Sequence, residues 1–174
     1  MTENPNMVTG LFKDRDSAER AYQTISDRQY NKDDVNIVMS DDTRKRYFAG
    51  KKGSDTELGT KAAEDAGIGG AIGGTLGAIA AAIAAVGTSL VIPGLGLVVA
   101  GPIAAAFAGA GAGGITGGLI GALIGWGIPE ERVKLYEQGV QEGGILMGVK
   151  AHSGEDARHF EQAWKAHSGQ HVFV

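Results

Sequence analysis

The sequence predicts an α+β fold: a ferredoxin-like domain of two β-α-β units, split at its midpoint by a long helical hairpin. Three observations carry this. Short apolar, β-branched runs alternate with amphipathic helical patterns at both ends of the chain. Residues 66–129, sixty-four in all, contain no Asp, Glu, Lys or Arg. Glycines within that uncharged stretch recur every fourth residue.

Met7–Phe12 reads as the first strand. Asp14 suits an N-cap, with Asp16 and Glu19 in the first turns of a helix. Ala18, Ala21, Tyr22 and Ile25 recur at helical spacing and form its buried stripe. Asn31, Lys32, Asp33 and Asp34 make a turn, and residues 35–39 a second strand. Residues 41–53 are polar and basic, a linker. Ser54 or Asp55 caps a helix that runs into the uncharged stretch. Beyond it, Pro129 suits the first position of another helix, with Glu130 and Glu131 at its positive end. Val133, Tyr136 and Val140 share one face, and Gly143-Gly144 ends the helix. Residues 145–151 form a third strand. Ser153 to Asp156 resembles a capping box with Asp where Glu or Gln is usual. Ala157, Phe160, Ala163 and Trp164 line the next helix, and residues 171–174 close the domain as a fourth strand. The order without the middle is β-α-β, a linking helix, β-α-β. The divisions expected are therefore 1–53, the first half-domain and basic linker; 54–129, the hairpin; and 130–174, the second half-domain.

The uncharged stretch divides itself. Residues 66–86 and 102–127 are helix candidates, the first near 31 Å long at about 1.5 Å per residue. Residues 87–101, with Pro93, Gly94 and Gly96, read as a turn with an apolar lip. Gly69, Gly73 and Gly77 lie on one stripe; Gly109, Gly113, Gly117, Gly121 and Gly125 lie on another. Glycine costs about 1 kcal/mol per helical position relative to alanine. Close approach of helix backbones offsets that cost, so the stripes are read as helix-packing interfaces. Residues 67–80 and 111–124 also align with each other at an offset of 44, as a duplicated helix would.

Three readings of the stretch follow. One is insertion in a membrane, with Trp126 as interfacial anchor. In that reading Arg44, Lys45, Arg46, Lys51, Lys52 and Lys61 flank the hairpin and place the domain on the cytoplasmic side, within reach of anionic headgroups. A solvated linker is the bland account of the same basic residues. The second reading is a soluble homo-oligomer whose hairpins pack a dry or lipid-containing interior. The third is a disordered Gly/Ala tract. Residues 66–86 hold six large apolar side chains among glycine and alanine. A lone helix of this kind inserts marginally, so insertion implies a paired or oligomeric unit.

Sharper chemistry finds little support. The chain has no cysteine, which removes disulfides, thiolate metal sites and thiol nucleophiles. Net charge is −4, against a dedicated nucleic-acid binder. The first residues show no basic and apolar leader pattern, so no secretory signal is expected. Residues 109–114 match G-x-G-x-x-G but follow an alanine-rich helix rather than a strand, so dinucleotide binding is not expected. No cofactor and no catalytic set are expected. His152, His159, His167 and His171 crowd the last 23 residues. With Glu155 or Glu161 they form the alternative of a small ligand- or metal-binding site, although a metal needs three or four converging ligands. The helices offer few polar side chains beyond Thr75 and Thr116, too few for an expected selective pore.

Some of these segments resemble the bacterial general stress or heat-induced protein family, the YflT-like domain. The similar parts are residues 8–12 with Ala18 and Ala21, the start of the second strand (Tyr30, Asp33, Asp34, Val35, Ile37, Val38), and the run Tyr136, Glu137, Gly139, Val140, Gly143, Gly144, Ile145, Leu146. A central Gly-rich hairpin is shared as well. The likeness covers residues 7–45 and 130–151. It implies a non-enzymatic bacterial stress-response protein, membrane-associated where the hairpin is present, with no catalytic residues to carry over.

Overall fold

The structure is a computed structural model that describes residues 6–47, 90–92, 96–102, 104, 123–124 and 128–174. In chain order the elements are β1 (Met7–Phe12), α1 (Arg15–Ser26), a 3-10 turn (Lys32–Asp34), β2 (Val35–Ser40), α2 (Asp41–Tyr47), β3 (Leu90–Ile92), β4 (Leu97–Ala100), α3 (Glu130–Gln141), β5 (Ile145–Lys150), α4 (Gly154–Ala166) and β6 (Gln170–Phe173). The fold is α+β. Its six strands form one antiparallel sheet in the order β3-β4-β2-β5-β1-β6.

Side-chain alternation explains why both faces of the sheet are covered. Val8, Phe12, Val35, Ile37, Met39, Ile145, Met147 and Val149 point to one face, where α1 and α4 deliver Ala18, Ala21, Ile25, Phe160 and Trp164. The intervening residues Leu11, Val38 and Leu146 point the other way. There α3 contributes Val133, Tyr136 and Val140, joined by Leu97, Val99, Ala104, Leu123 and Ile128.

The expected caps are present. Asp14 accepts the Ser17 amide at 2.8 Å, and Ser153 accepts the Asp156 amide at 3.1 Å. At the end of α3 the Gly144 amide reaches the Gly139 carbonyl and the Gly143 amide reaches Val140, with Gly143 at φ +97°. That is a Schellman closure, and the positive φ is why glycine sits there. Gly139 has another reason: a Cβ on it would overlap Leu11, so its absence lets α3 lie close on β1.

Four expectations are corrected. Pro129 is the N-cap of α3, one position before the first helical residue. Residues 41–47 are not linker but the short helix α2. Ser40 accepts the Thr43 amide at 3.0 Å, and acidic residues precede basic ones along the helix dipole. The fourth strand starts at Gln170. The largest correction concerns residues 87–101. Among the described residues of this range, Leu97–Ala100 pairs with β2 from Ile37↔Ala100 to Ser40↔Leu97, and Leu90–Ile92 pairs outside it, so both are strands rather than parts of a turn. The Val/Leu/Ile composition of this lip fits a pleated surface as well as it fits a membrane face. The middle of the uncharged stretch therefore belongs to the sheet.

Candidate functional site

The register shows where the chain leaves the sheet and returns. Val35 at the start of β2 lies opposite Val149, and Lys150 ends β5, so these mark one end of the sheet. The chain enters β3 from that end, since Leu90 precedes Ile92 and pairs with Val99 while Ile92 pairs with Leu97. It leaves β4 at Gly101, whose φ is +100° and where a Cβ would overlap the Val35 carbonyl oxygen. It returns at Ile128 to start α3, which runs toward the Gly143-Gly144 turn at the opposite end. Three of the four junctions with the uncharged stretch thus share one end of the sheet. Tyr47, where α2 stops, lies at the other. The junctions are anchored: Ala104, Leu123 and Ile128 are buried in one cluster with Val99 and Val38. At the far side of the hairpin the Asp41 amide donates to the Gly96 carbonyl at 2.6 Å.

The same junction end carries a polar clasp between the α1–β2 and β5–α4 loops. Tyr30 stacks on the His152 ring at 4.1 Å and 14°. Its hydroxyl donates to Asp156 Oδ2 at 2.8 Å and accepts the His152 amide at 2.8 Å. Arg28 donates to the other oxygen of Asp156. His152 Nε2 lies 3.3 Å from Asp34 Oδ1. Hydrogen bonds from Tyr30, then from Arg28 and Ser153, hold the Asp156 carboxyl below its usual range. Burial, opposed by the His152 amide, raises the Tyr30 phenol. The clasp explains the Asp in the capping position: its short carboxylate serves the neighbouring loop. The sequence places Tyr30 at the entry to the second strand and Asp34, Ser153 and Asp156 among turn and cap residues, but does not bring them together. Two polar loops at the same end of antiparallel strands were the available signal.

Charge at this end is slightly acidic. Asp27, Asp33, Asp34, Glu130, Glu131, Glu155 and Asp156 only narrowly outnumber Arg28, Lys32, Arg132, Lys134, Lys150 and Arg158. The basic residues expected to flank a membrane segment start elsewhere. Arg44, Lys45 and Arg46 lie on α2 at the opposite end. Arg44 is held by Asp41 at 2.9 Å and Lys45 by the same carboxylate at 2.6 Å. Those hydrogen bonds, Lys45 first and Arg44 second, lower the Asp41 pKa; Asp41 in turn raises that of Lys45. Two of these three cations are thus already engaged within the helix. Lys51, Lys52, Lys61, Trp126 and the stripe glycines Gly69, Gly73, Gly77, Gly109, Gly113, Gly117, Gly121 and Gly125 lie outside the described residues.

The four histidines do not converge. His152 faces Tyr30, His159 lies beside Phe160 on α4, His167 caps α4, and His171 sits on β6 at φ +49°. Among the described residues no three His, Asp or Glu groups come together to hold a metal. A shallow groove of about 360 Å³ runs between the end of α3 and β1, lined by Leu11, Lys13, Leu135, Glu142 and His171 among others. Among the described residues no helix is long and apolar enough to cross a membrane. No family model, curated protein or solved structure matches this chain.

Proposed function

We propose that this chain is a non-enzymatic bacterial stress-response protein that works as a membrane-associated homo-oligomer. A ferredoxin-like platform lies on the cytoplasmic side, and the glycine faces of its insertion pack helix against helix. The strand core β6-β1-β5-β2, with α1 and α4 on one face, supports the ferredoxin-like part of this reading. Its partners are other copies of itself and lipid, not nucleic acid, and it needs no cofactor.

The observation that carries the proposal is the pairing of β4 with β2 between two uncharged, glycine-striped stretches. A hairpin crossing a bilayer would hold its turn about 30 Å from the domain. The sheet keeps Leu97–Ala100 beside β2 instead, with Val99 opposite Val38. The second half of the insertion then leaves at Gly101 and returns at Ile128 at one end of the sheet, whereas the first half starts at Tyr47, at the opposite end from its return at Leu90. Residues 105–122 link Ala104 to Leu123, two members of one core cluster. A segment that starts and ends at one side of a bilayer without crossing it leaves backbone groups that lipid does not satisfy. Packing against other copies does. Self-association is therefore part of the mechanism, and the glycines supply the close contact.

One observation favours a second reading, a lipid-free or lipid-enclosing soluble assembly. Asp33 and Asp34 before β2 and Glu130 and Glu131 at the start of α3 stand at the junction end, and anionic headgroups repel such carboxylates. Sedimentation of detergent-free lysate, followed by light scattering on the eluted protein, separates the readings. Membrane association predicts the protein in the pellet and its flotation with vesicles. The lipid-free assembly predicts a soluble oligomer, and a soluble monomer contradicts both. Gly117→Leu with Gly121→Leu is expected to break the oligomer; an unchanged particle size would remove the stripe as interface.

A further inference from the structure

β6 departs from regular alternation at one point. Thr9 pairs with Phe173 and Leu11 with Gln170, so one residue of β1 faces two of β6. Val172 packs on the α1–α4 side, which leaves His171 as the extra residue of a bulge. Its φ of +49° is a left-handed value uncommon outside glycine. In a regular strand consecutive side chains point to opposite faces. Here Gln170 and His171 line the same groove, between β1, β6 and the end of α3. The unusual backbone is held from behind, because the buried Tyr136 hydroxyl donates to the His171 carbonyl at 2.7 Å. Backbone outliers fixed in this way cluster at ligand sites.

The walls of the groove differ in chemistry. Leu11, only 3% exposed, is its apolar floor, and Leu135 continues that surface up one wall. Lys13 and His171 stand exposed on the strand side with the Gln170 amide, all three able to donate hydrogen bonds. Glu142 stands exposed on the helix side, at the C-cap of α3, and accepts from Gln138 Nε2 at 2.9 Å. The partial negative charge at the C-terminus of α3 adds to that carboxylate. The volume of about 360 Å³ falls at the small end of small-molecule sites.

We propose that this groove binds a free α-amino acid with an aliphatic side chain. Lys13, Gln170 and His171 take its carboxylate, Glu142 takes its ammonium, and the side chain descends onto Leu11. A simple carboxylic acid leaves Glu142 without a cation, and a simple amine meets Lys13 as a like charge. Opposite charges on the two rims of an apolar floor therefore select a ligand that carries both. The groove lies at the end of the sheet away from Gly101 and Ile128, since Gln170 pairs with Leu11 near the Phe12–Ile145 end of β1. The site therefore does not depend on how the insertion packs.

Isothermal titration of the full chain at pH 7 with leucine, isoleucine and valine in turn tests the proposal. At least one should bind with a Kd below about 1 mM. The acid lacking its ammonium and the amine lacking its carboxylate should each bind about tenfold more weakly or worse. Lys13→Gln and Glu142→Gln should each weaken the amino acid about tenfold. His171→Gly separates binding from folding. Glycine adopts the left-handed backbone freely, so this variant should melt no lower than wild type and still bind about tenfold more weakly. No binding of any of the three amino acids to the folded wild type overturns the proposal. So does affinity that survives all three substitutions, or an acid that binds as tightly as its amino acid. Either result leaves the homo-oligomer reading untouched, and a monomeric wild type leaves this site untouched.

Discussion

Tyr136→Phe isolates one buried hydroxyl that ties three elements together. Tyr136 is fully buried under α3. Its hydroxyl donates to the His171 carbonyl of β6 at 2.7 Å and accepts from Thr9 of β1 at 2.8 Å. Removing it leaves a hydroxyl and a carbonyl without that partner, at a cost of about 1–3 kcal/mol at neutral pH. For a domain of this size the melting temperature should fall by about 4–8 °C per kcal/mol. Alkaline pH supplies the sharper test. Burial pushes the Tyr136 pKa up to about 12 from 10.0. The folded-state value is therefore the higher one, and the neutral phenol is the form the fold favours. Its contribution is fully present below pH 10 and is lost as pH rises from 10 through 12. Two units correspond to about 2.7 kcal/mol. The advantage of the wild type over Tyr136→Phe, measured by urea unfolding, should hold constant to pH 10, then vanish or reverse by pH 12. The comparison cancels the other tyrosines and the lysines. A difference that stays constant across pH 10–12 would refute the burial argument, and one near zero at pH 7 would refute the hydrogen-bond argument.

Gly139→Ala should destabilise the domain by about 1–3 kcal/mol, since the new methyl overlaps Leu11. Leu11→Ala, which alone is also destabilising, should recover part of that loss when combined with it, as a thermal double-mutant cycle would record. Asp156→Asn should weaken the clasp by about 1 kcal/mol at pH 7. The Asp156 pKa is lowered in the fold, so its contribution exists above the unfolded value near 3.8 and disappears as pH falls below it. The stability difference from wild type should therefore close on going from pH 5 to pH 2.

The half-domains were legible because local and tertiary signals agree there. Asp14 and Ser153 announced their helices, Gly143-Gly144 announced an end, and the apolar positions of α1, α3 and α4 kept helical spacing. Residues 41–47 were misread because helix formation there depends on the Ser40 cap and charge order, not on an apolar stripe. Residues 90–100 were misread for a deeper reason. An uncharged Leu/Val/Ile run suits a buried strand, a membrane helix or an apolar turn equally well, and its pairing with β2 is a contact between residues some sixty positions apart. No local pattern encodes it. The clasp escaped for the same reason, since Tyr30 and Asp156 are separated by 126 positions.

The central claim is that the middle of the uncharged stretch stays with the sheet, paired through β4 to β2, rather than lying at the tip of a hairpin that crosses a bilayer. Single-cysteine labelling in cells tests it directly. Ser89→Cys precedes β3, and Lys150→Cys ends β5 on the platform. With a membrane-impermeant maleimide, the account predicts that neither position reacts in intact cells and that both react after lysis and denaturation. Labelling of Ser89→Cys in intact cells, with Lys150→Cys still protected, would place the hairpin across the membrane and contradict the account.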